Sequence, residues 1–194
     1  MFALKRRIAA RLLAATVLAV LPTGAAMAQD AARIVDGMAG RILAVVKAGA
    51  SEEQRRREMT SLFRDNFDIA AIGRLVLGRH WNTATADQRE KFMTAFERAE
   101  IKAYSDRFGE YAGHTFGVGK VTAHANGTSQ LVNSALSLPS GAVVRILWEI
   151  AGGKVVDISV EGVSMGLTRR SDFSAFIQQN GMDGLIAALA RKGG

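Results

Sequence analysis

The stretch that decides the fold is Val143–Ser164, VVRILWEIAGGKVVDISVEGVS, which predicts two β-strands joined by a tight turn. Apolar side chains alternate along both halves, and the Gly152-Gly153 pair between them is typical of a hairpin turn. Side chains that share a face are Val144, Ile146, Trp148 and Ile150 on the first strand, and Val156, Ile158 and Val160 on the second. The link is too short for a crossover, so the strands are antiparallel neighbours.

Two more segments of strand-like composition precede this hairpin. They lie near 114–121 and 129–138, and they are rich in Val, Thr and alternating apolar residues. Turn chemistry follows each of them, at Asn126-Gly127 and at Pro139-Ser140-Gly141. The sequence therefore predicts an antiparallel meander of about four strands.

Helical patterns stand before and after the strands. Ser51 and Thr85 each begin a capping box, with Gln54 and Gln88 three residues later. Four helices are predicted over 31–47, 68–77, 171–179 and 183–191. Two more begin at the capping boxes, one after Ser51 and one after Thr85 that continues towards Phe108. Helices grouped around an antiparallel sheet predict an α+β fold in a single domain, residues 29–194, with the helices covering one face.

The first 28 residues predict a cleavable export signal rather than a membrane anchor or a buried helix. Lys5, Arg6 and Arg7 precede an apolar run over 12–21, and Ala26-Met27-Ala28 has the form of a signal-peptidase site. The run of about ten residues is too short to span a bilayer of ~30 Å as a helix. We therefore expect a mature chain that begins at Gln29 and acts in the periplasm.

Charge and cysteine content narrow the functional classes. Four of the 25 basic residues and none of the 18 acidic ones lie in the signal, so the mature charge is +3 rather than +7. This modest excess does not predict nucleic-acid binding. The chain contains no cysteine. Disulfides, cysteine-ligated zinc and covalent c-type haem are therefore excluded, and no other cofactor or metal is predicted.

The sequence offers little catalytic chemistry. His80, His114 and His124 are the only histidines, and none belongs to a metal-binding or catalytic spacing. Residues 162–166 match the Gly-x-Ser-x-Gly pattern around Ser164, but no histidine follows that serine, as a hydrolase triad would require. We therefore do not expect an enzyme.

Two motifs resemble one known family. The first motif resembles the family phrase leu-gly-arg-(tyr/his)-trp … ala-thr-x-x-gln-arg-x-x-phe. It consists of Ile72-Gly73-Arg74-Leu75-Val76-Leu77-Gly78-Arg79-His80-Trp81, followed by 84–89 and Phe92. Val155–Ser164, followed by Arg170-Ser171-Asp172-Phe173, resembles val-x-asp-val-x-x-glu-gly-(val/ile)-ser … arg-ser-x-phe. Both are hallmarks of the MlaC, or toluene-tolerance, family of periplasmic phospholipid carriers, and the resemblance extends over about 31–189.

The resemblance implies an NTF2-like curved sheet and helices that enclose a deep apolar cavity for phospholipid acyl tails. It also implies partners, namely an inner-membrane ABC transporter complex and an outer-membrane lipoprotein complex that together maintain lipid asymmetry. We expect a monomer with only transient membrane association. The chain departs from the family where a Tyr and a Trp are common, with Arg169 and Gly153 at those positions.

Three alternatives stay open at this point. One is the hopanoid-associated branch of the same family, and another is a structural or adaptor protein. The third is a small-molecule enzyme on an NTF2-like fold, which would need an acid/base pair such as Asp157 or Glu161 beside a histidine.

The sequence also predicts which residues carry the function. Those expected to line the cavity, because they share the apolar stripe or strand face turned toward the helices, are Leu75, Val76, Phe92, Phe96, Val144, Ile146, Trp148, Val156, Ile158 and Val160. Arg74 and Arg79 are the main candidates for docking on acidic partner surfaces, and the Arg55–Arg57 run is the weaker one. Glu161 and Arg170 are expected to form a structural ion pair between the last strand and the next helix; the alternative is that they lie at the cavity mouth or on a partner-binding surface.

Overall fold

The computed structural model describes residues 24–194, so the apolar core of the proposed export signal lies outside the described residues. The α-helices are α1 (Gly24–Lys47), α2 (Glu52–Asn66), α3 (Ile69–Leu77), α4 (His80–Thr83), α5 (Ala86–Asp106) and α6 (Met165–Lys192). A short 3-10 helix at Phe108–Tyr111 follows α5. No helix among the described residues combines the length and the apolar character needed to cross a bilayer.

The capping boxes form as predicted. At the start of α2 the Ser51 side chain accepts a hydrogen bond from the Gln54 backbone, and the Gln54 side chain accepts one from the Ser51 N–H. Thr85 and Gln88 make the same exchange at the start of α5. These bonds satisfy backbone donors that the first turn leaves without a partner, which is why both helices begin where the sequence predicts.

The five strands form one antiparallel sheet in the order of the chain. They are β1 (Thr115–Ala123), β2 (Ser129–Ser137), β3 (Val143–Ala151), β4 (Lys154–Val160) and β5 (Val163–Ser164). The α+β class and the meander are confirmed, but the sheet has five strands rather than about four. The predicted last strand is divided at Glu161 and Gly162, both of which have positive φ angles, so the chain turns back there and pairs Val160 with Val163.

A β-bulge in β4 changes which side chains face the helices. Trp148 lies opposite Ile158 and Glu149 opposite Asp157, but Ile150 lies opposite Val155, so Val156 has no partner in the ladder. The extra residue reverses the alternation for the first part of the strand. Val155 is therefore the fully buried residue there, with no exposed surface, and Val156 is not.

The first turn of α3 covers part of the edge of β4. The N–H of Asp68 donates to the carbonyl of Val155 at 3.0 Å, and Phe67 forms a parallel bridge with the same residue. The Asp68 side chain also caps α3 by accepting from the Ala71 N–H. The junction between α2 and α3 is thereby fixed to the edge of the sheet.

Helix α6 begins six residues earlier than predicted and contains a break. Ser164 is its N-cap, and Gly181, with φ of +72°, interrupts it at the position where the sequence predicted a separation. The two halves of α6 pack on α5 and α3.

Buried residues fall into two clusters. The first joins α1, α2 and the sheet, and its most buried members are Val35, Leu62, Val132 and Val155. The second joins α3, α5 and α6 around Val76, Leu77, Phe92, Phe96 and Phe173. The space between these clusters holds the candidate site.

A cavity between the helices and the sheet

A cavity of about 540 Å³ lies between the two buried clusters, and its wall is mainly apolar. Strands β3 and β4 form one side, and α1, α2, α3, α5 and the start of α6 form the others. Its apolar side chains include Met38, Ile42, Met59, Leu62, Phe63, Phe67, Ile69, Ile72, Val76, Phe96, Ile146, Trp148, Val155, Ile158, Val160 and Met165. The volume is within the usual range for ligand pockets in proteins.

The sheet side of the cavity is built from cross-strand pairs. Ile146 lies opposite Val160, and Trp148 lies opposite Ile158. The indole N–H of Trp148 donates to the Ser134 hydroxyl at 2.9 Å, on the neighbouring strand β2. Because this bond satisfies the polar atom of the indole, the ring presents an apolar surface to the cavity.

The opening of the cavity lies between α5 and the start of α6. The lining residues that are exposed to solvent are Ala103, Arg107 and Thr168. Beside them, the guanidinium of Arg169 lies 3.1 Å from the carboxylate of Glu100. The side chain of Glu100 is only 11% exposed and that of Arg169 is 43% exposed, so the carboxylate is the inner member of the pair.

Burial dominates the electrostatics of this region. Desolvation raises the pKa of Glu100, and the positive charges of Arg169, Lys192 and Arg107 oppose that rise. Burial also raises the pKa of Tyr104 and Tyr111, so both phenols stay protonated well above neutral pH. The opening therefore has exposed Arg107 and half-buried Arg169 beside a buried carboxylate, with the phenols of Tyr104 and Tyr111 also in its lining.

Asp157 lines the cavity, but its carboxylate is already engaged. It accepts hydrogen bonds from the Ser164 hydroxyl and from the Gly166 N–H, at 3.0 Å for the latter, and from the Ile158 N–H at 2.8 Å. The Ser164 hydroxyl in turn accepts from the Leu167 N–H. Asp157 and Ser164 therefore position the N-terminus of α6 against β4, and the Gly-x-Ser-x-Gly pattern is a helix cap.

Six of the ten residues predicted to bind lipid line the cavity. They are Val76, Phe96, Ile146, Trp148, Ile158 and Val160. The structure does not bring the other four, Leu75, Phe92, Val144 and Val156, to its wall. Contact with lipid stays a prediction for the six.

Each of the four displaced residues has a local reason. Phe92 is fully buried in the second cluster, stacked on Phe96 and edge-on to Phe173. Leu75 lies against Gly166 at the start of α6.

The two displaced sheet residues are Val156 and Val144. The bulge in β4 places Val155 in the wall instead of Val156. Val144, opposite Leu136 near the start of β3, is half-buried outside the cavity.

The prediction missed the polar residues of the wall, although a signal for one of them was present. Glu100 follows Phe92 and Phe96 at four-residue spacing, so it continues the apolar stripe of α5. A carboxylate on a buried stripe requires a partner, and Arg169 supplies it from a distance of 69 positions along the chain.

The predicted docking arginines lie outside the cavity. Arg74 and Arg79 are both exposed, at the end of α3 and just before α4. The guanidinium of Arg74 lies 5.6 Å from the centre of the Trp81 ring, and that of Arg89 lies 5.4 Å from it. These cation–π contacts place exposed Arg74 and half-buried Arg89 against the half-buried Trp81 ring, but no partner-binding role follows from them alone.

The expected ion pair between Glu161 and Arg170 is wrong. The Glu161 carboxylate accepts from the backbone N–H of Arg145 at 2.5 Å, because the turn after β4 directs it toward β3. Arg170 instead packs against Gly78 at the end of α3. The two side chains therefore contact different junctions of the fold.

The enzyme alternative requires an acid/base pair with a histidine, and the described wall of the cavity contains no such pair. The wall, formed entirely from described residues, contains no histidine, and Asp157 is occupied in capping α6. His80 lies 3.1 Å from the Ser174 hydroxyl, away from the wall. Within residues 24–194, no group of three or more His, Asp or Glu side chains is placed to hold a metal ion.

Comparisons with known proteins agree with this geometry. The phospholipid-binding protein from Ralstonia solanacearum, solved in complex with a phospholipid, matches the fold with a TM-score of 0.73. The two chains are 21% identical, and the match covers 84% of this chain and 97% of that chain. The sequence pattern of the MlaC protein family matches residues 36–191. The family resemblance predicted from the two motifs is thereby confirmed, and this chain belongs to the MlaC family.

Proposed function

We propose that this chain is a periplasmic lipid carrier that holds phospholipid acyl tails in its cavity. It shuttles lipid between an inner-membrane ABC transporter complex and an outer-membrane lipoprotein complex, and so maintains outer-membrane lipid asymmetry. The observation that carries the proposal is the apolar cavity of about 540 Å³ in a domain of the MlaC family. The phospholipid in the Ralstonia solanacearum structure, which has the same fold, supports this choice of ligand.

The energetics of lipid transfer require such a carrier. A diacyl lipid has about 30 methylene groups, and exposing them to water costs ~24 kcal/mol at ~0.8 kcal/mol each. Transfer from a bilayer to an apolar cavity exchanges one apolar environment for another, so its net free energy is close to zero. Uptake and release are then both feasible, and the partner complexes decide the direction.

Export is supported by the position of the core residues in α1. The most buried residues of that helix, Ala31, Val35 and Met38, all follow the predicted cleavage site after Ala28. Cleavage would therefore leave intact the packing of α1 on α2 and the sheet. Family membership also supports a carrier rather than an enzyme.

Native mass spectrometry of the protein exported with its own signal tests the proposal. The expected spectrum shows a chain beginning at Gln29 together with the added mass of a phospholipid. The bound lipid should then move from the protein to acceptor vesicles. A hopanoid mass would assign the cargo to the alternative branch, and a chain that never acquires lipid from vesicles would refute the carrier function.

A further inference from the structure

The uncommitted polar groups of the cavity are concentrated at its opening. Asp157 is occupied by the cap of α6, and the remaining charged or phenolic groups of the wall belong to α5 and its C-cap, to the 3-10 helix that follows and to the start of α6. They are Glu100, Tyr104, Arg107, Tyr111 and Arg169. The exposed lining residues come from α5 and α6 as well. The polar end of the cavity and its entrance are therefore the same place.

The residues that line the opening carry more positive than negative charge. Arg169 is paired with Glu100, whereas Arg107 takes part in none of the ion pairs found among residues 24–194. The neighbouring carboxylate of Asp106 is paired with Lys102 at 3.0 Å. Two guanidinium groups thus border the opening with one buried carboxylate between the cations and the interior.

Arg169 is placed to bind a second acceptor. Its pairing with Glu100 uses one side of a guanidinium that has five N–H donors, and 43% of the side chain is exposed. Phosphate oxygens match the planar arrangement of these donors and can accept two parallel bonds. A ligand whose tails fill the apolar part of the cavity would bring its polar end to this point.

We infer that the opening recognises the phosphodiester group of the lipid through Arg169, with Arg107 as the second cation. This inference rests on the proposed carrier function and specifies its ligand class. Glu100 is the counterion of Arg169 in the empty protein, so an incoming phosphate competes with it. That competition keeps the affinity for the phosphate group moderate. A carrier requires moderate affinity because it must release its cargo. An uncharged polycyclic lipid would gain nothing from this site.

The experiment compares lipids that differ only in the phosphoglycerol head group. Delipidated protein is incubated with vesicles containing equal amounts of phosphatidylglycerol and of diacylglycerol with the same acyl chains, and the loaded lipid is identified by native mass spectrometry. We expect a preference for the phospholipid of about tenfold, the size of one charge-assisted hydrogen bond. Arg169→Gln and Arg107→Gln should each reduce this preference towards one without reducing diacylglycerol loading.

Two further variants separate recognition from stability. Glu100→Gln frees Arg169 and should increase the preference. Glu100→Gln/Arg169→Gln removes both charges, leaves no buried charge unpaired, and should lower the preference as far as Arg169→Gln does, since only Arg107 then remains. Arg98→Gln is the matched control, because Arg98 is an exposed arginine of α5 that does not line the cavity. A tenfold preference that persists in both arginine variants would overturn the inference while leaving the carrier function intact.

Inorganic phosphate distinguishes a lipid head group from a free anion. At millimolar concentration it should not change the loading of either lipid, because it lacks the acyl tails that provide the binding free energy. Suppression of phospholipid loading by inorganic phosphate alone would assign the site to free anions and contradict the inference. Failure of wild-type protein to load either lipid would refute the carrier function itself.

Discussion

Gly78 packs directly against the guanidinium group of Arg170, so the motif that ends α3 touches the motif at the start of α6. A Cβ atom at Gly78 would approach Nε of Arg170 to 2.4 Å, and the backbone φ of Gly78 is +52°. The two motifs that resemble the MlaC family thus meet at one junction. Their contact connects two of the helices that border the cavity.

Gly78→Ala should destabilise the protein by about 1–3 kcal/mol, since a side chain at this φ/ψ combination is strained and the Arg170 guanidinium must also move. Urea denaturation measures this change. Gly40→Ala is the control, because Gly40 is an exposed residue inside α1 with open space around it, and alanine there should stabilise the helix by up to ~1 kcal/mol. Equal effects at the two positions would show that the conformation of Gly78 is unimportant.

Asp157→Ala should lower the free energy of unfolding by about 1–3 kcal/mol, because it removes the acceptor of the Ser164 hydroxyl and the Gly166 N–H. Asp157→Asn, which retains one carbonyl oxygen, should cost less. Ser164→Ala in the Asp157→Ala background should add less than it costs alone, because the two residues form one cap. Full additivity in chemical denaturation would contradict a shared cap.

Val160→Trp should reduce lipid loading about tenfold, because the larger side chain occupies volume beside Ile146 that the acyl tails need. Val144→Trp is the matched control, since Val144 is also a half-buried valine of the sheet but lies outside the cavity. Loading from vesicles and thermal melting are measured for both variants. A larger loss in the Val144 variant would place the lipid elsewhere.

The stability of wild type relative to Glu100→Gln should depend on pH. Burial raises the pKa of Glu100, so the folded protein retains this proton at pH values where the unfolded chain has released it. Wild type should therefore lose stability relative to the glutamine variant as pH rises from about 4.5 through the raised pKa. Parallel melting curves across that range would show that the carboxylate is well solvated.

Arg79→Glu should slow lipid exchange with the purified inner-membrane complex at low salt while leaving the bound lipid in place. Arg79 is exposed and lies outside the cavity, and charge reversal acts on the encounter of two proteins rather than on the cargo. The effect should be up to about tenfold in rate and should fade near 1 M salt, where the Debye length is ~3 Å. Lys120→Glu, on the edge strand β1, is the control. Exchange rates insensitive to ionic strength would remove electrostatic docking from the mechanism.

Local features were predictable from the sequence because their hydrogen bonds connect residues close in the chain. The Ser51 and Thr85 caps each link positions three residues apart, and the β3–β4 hairpin is closed by two glycines. Helix and strand periods likewise identified the inward faces, which is why six of the ten predicted residues line the cavity. The order of helices, meander and helices then determined the α+β class.

Tertiary structure decided what depends on residues distant in the chain. The alternation of apolar residues along β4 does not reveal its bulge, because the bulge arises from the pairing of β4 with β3. That bulge places Val155 rather than Val156 in the cavity wall. The pairing of Glu100 with Arg169 exists only because α5 and α6 pack together. A filled core and a hollow one require the same apolar periodicity, so only the distance between packed elements distinguishes them. The sequence thus determined which faces turn inward, and the packing of helices on a bulged sheet left space between them.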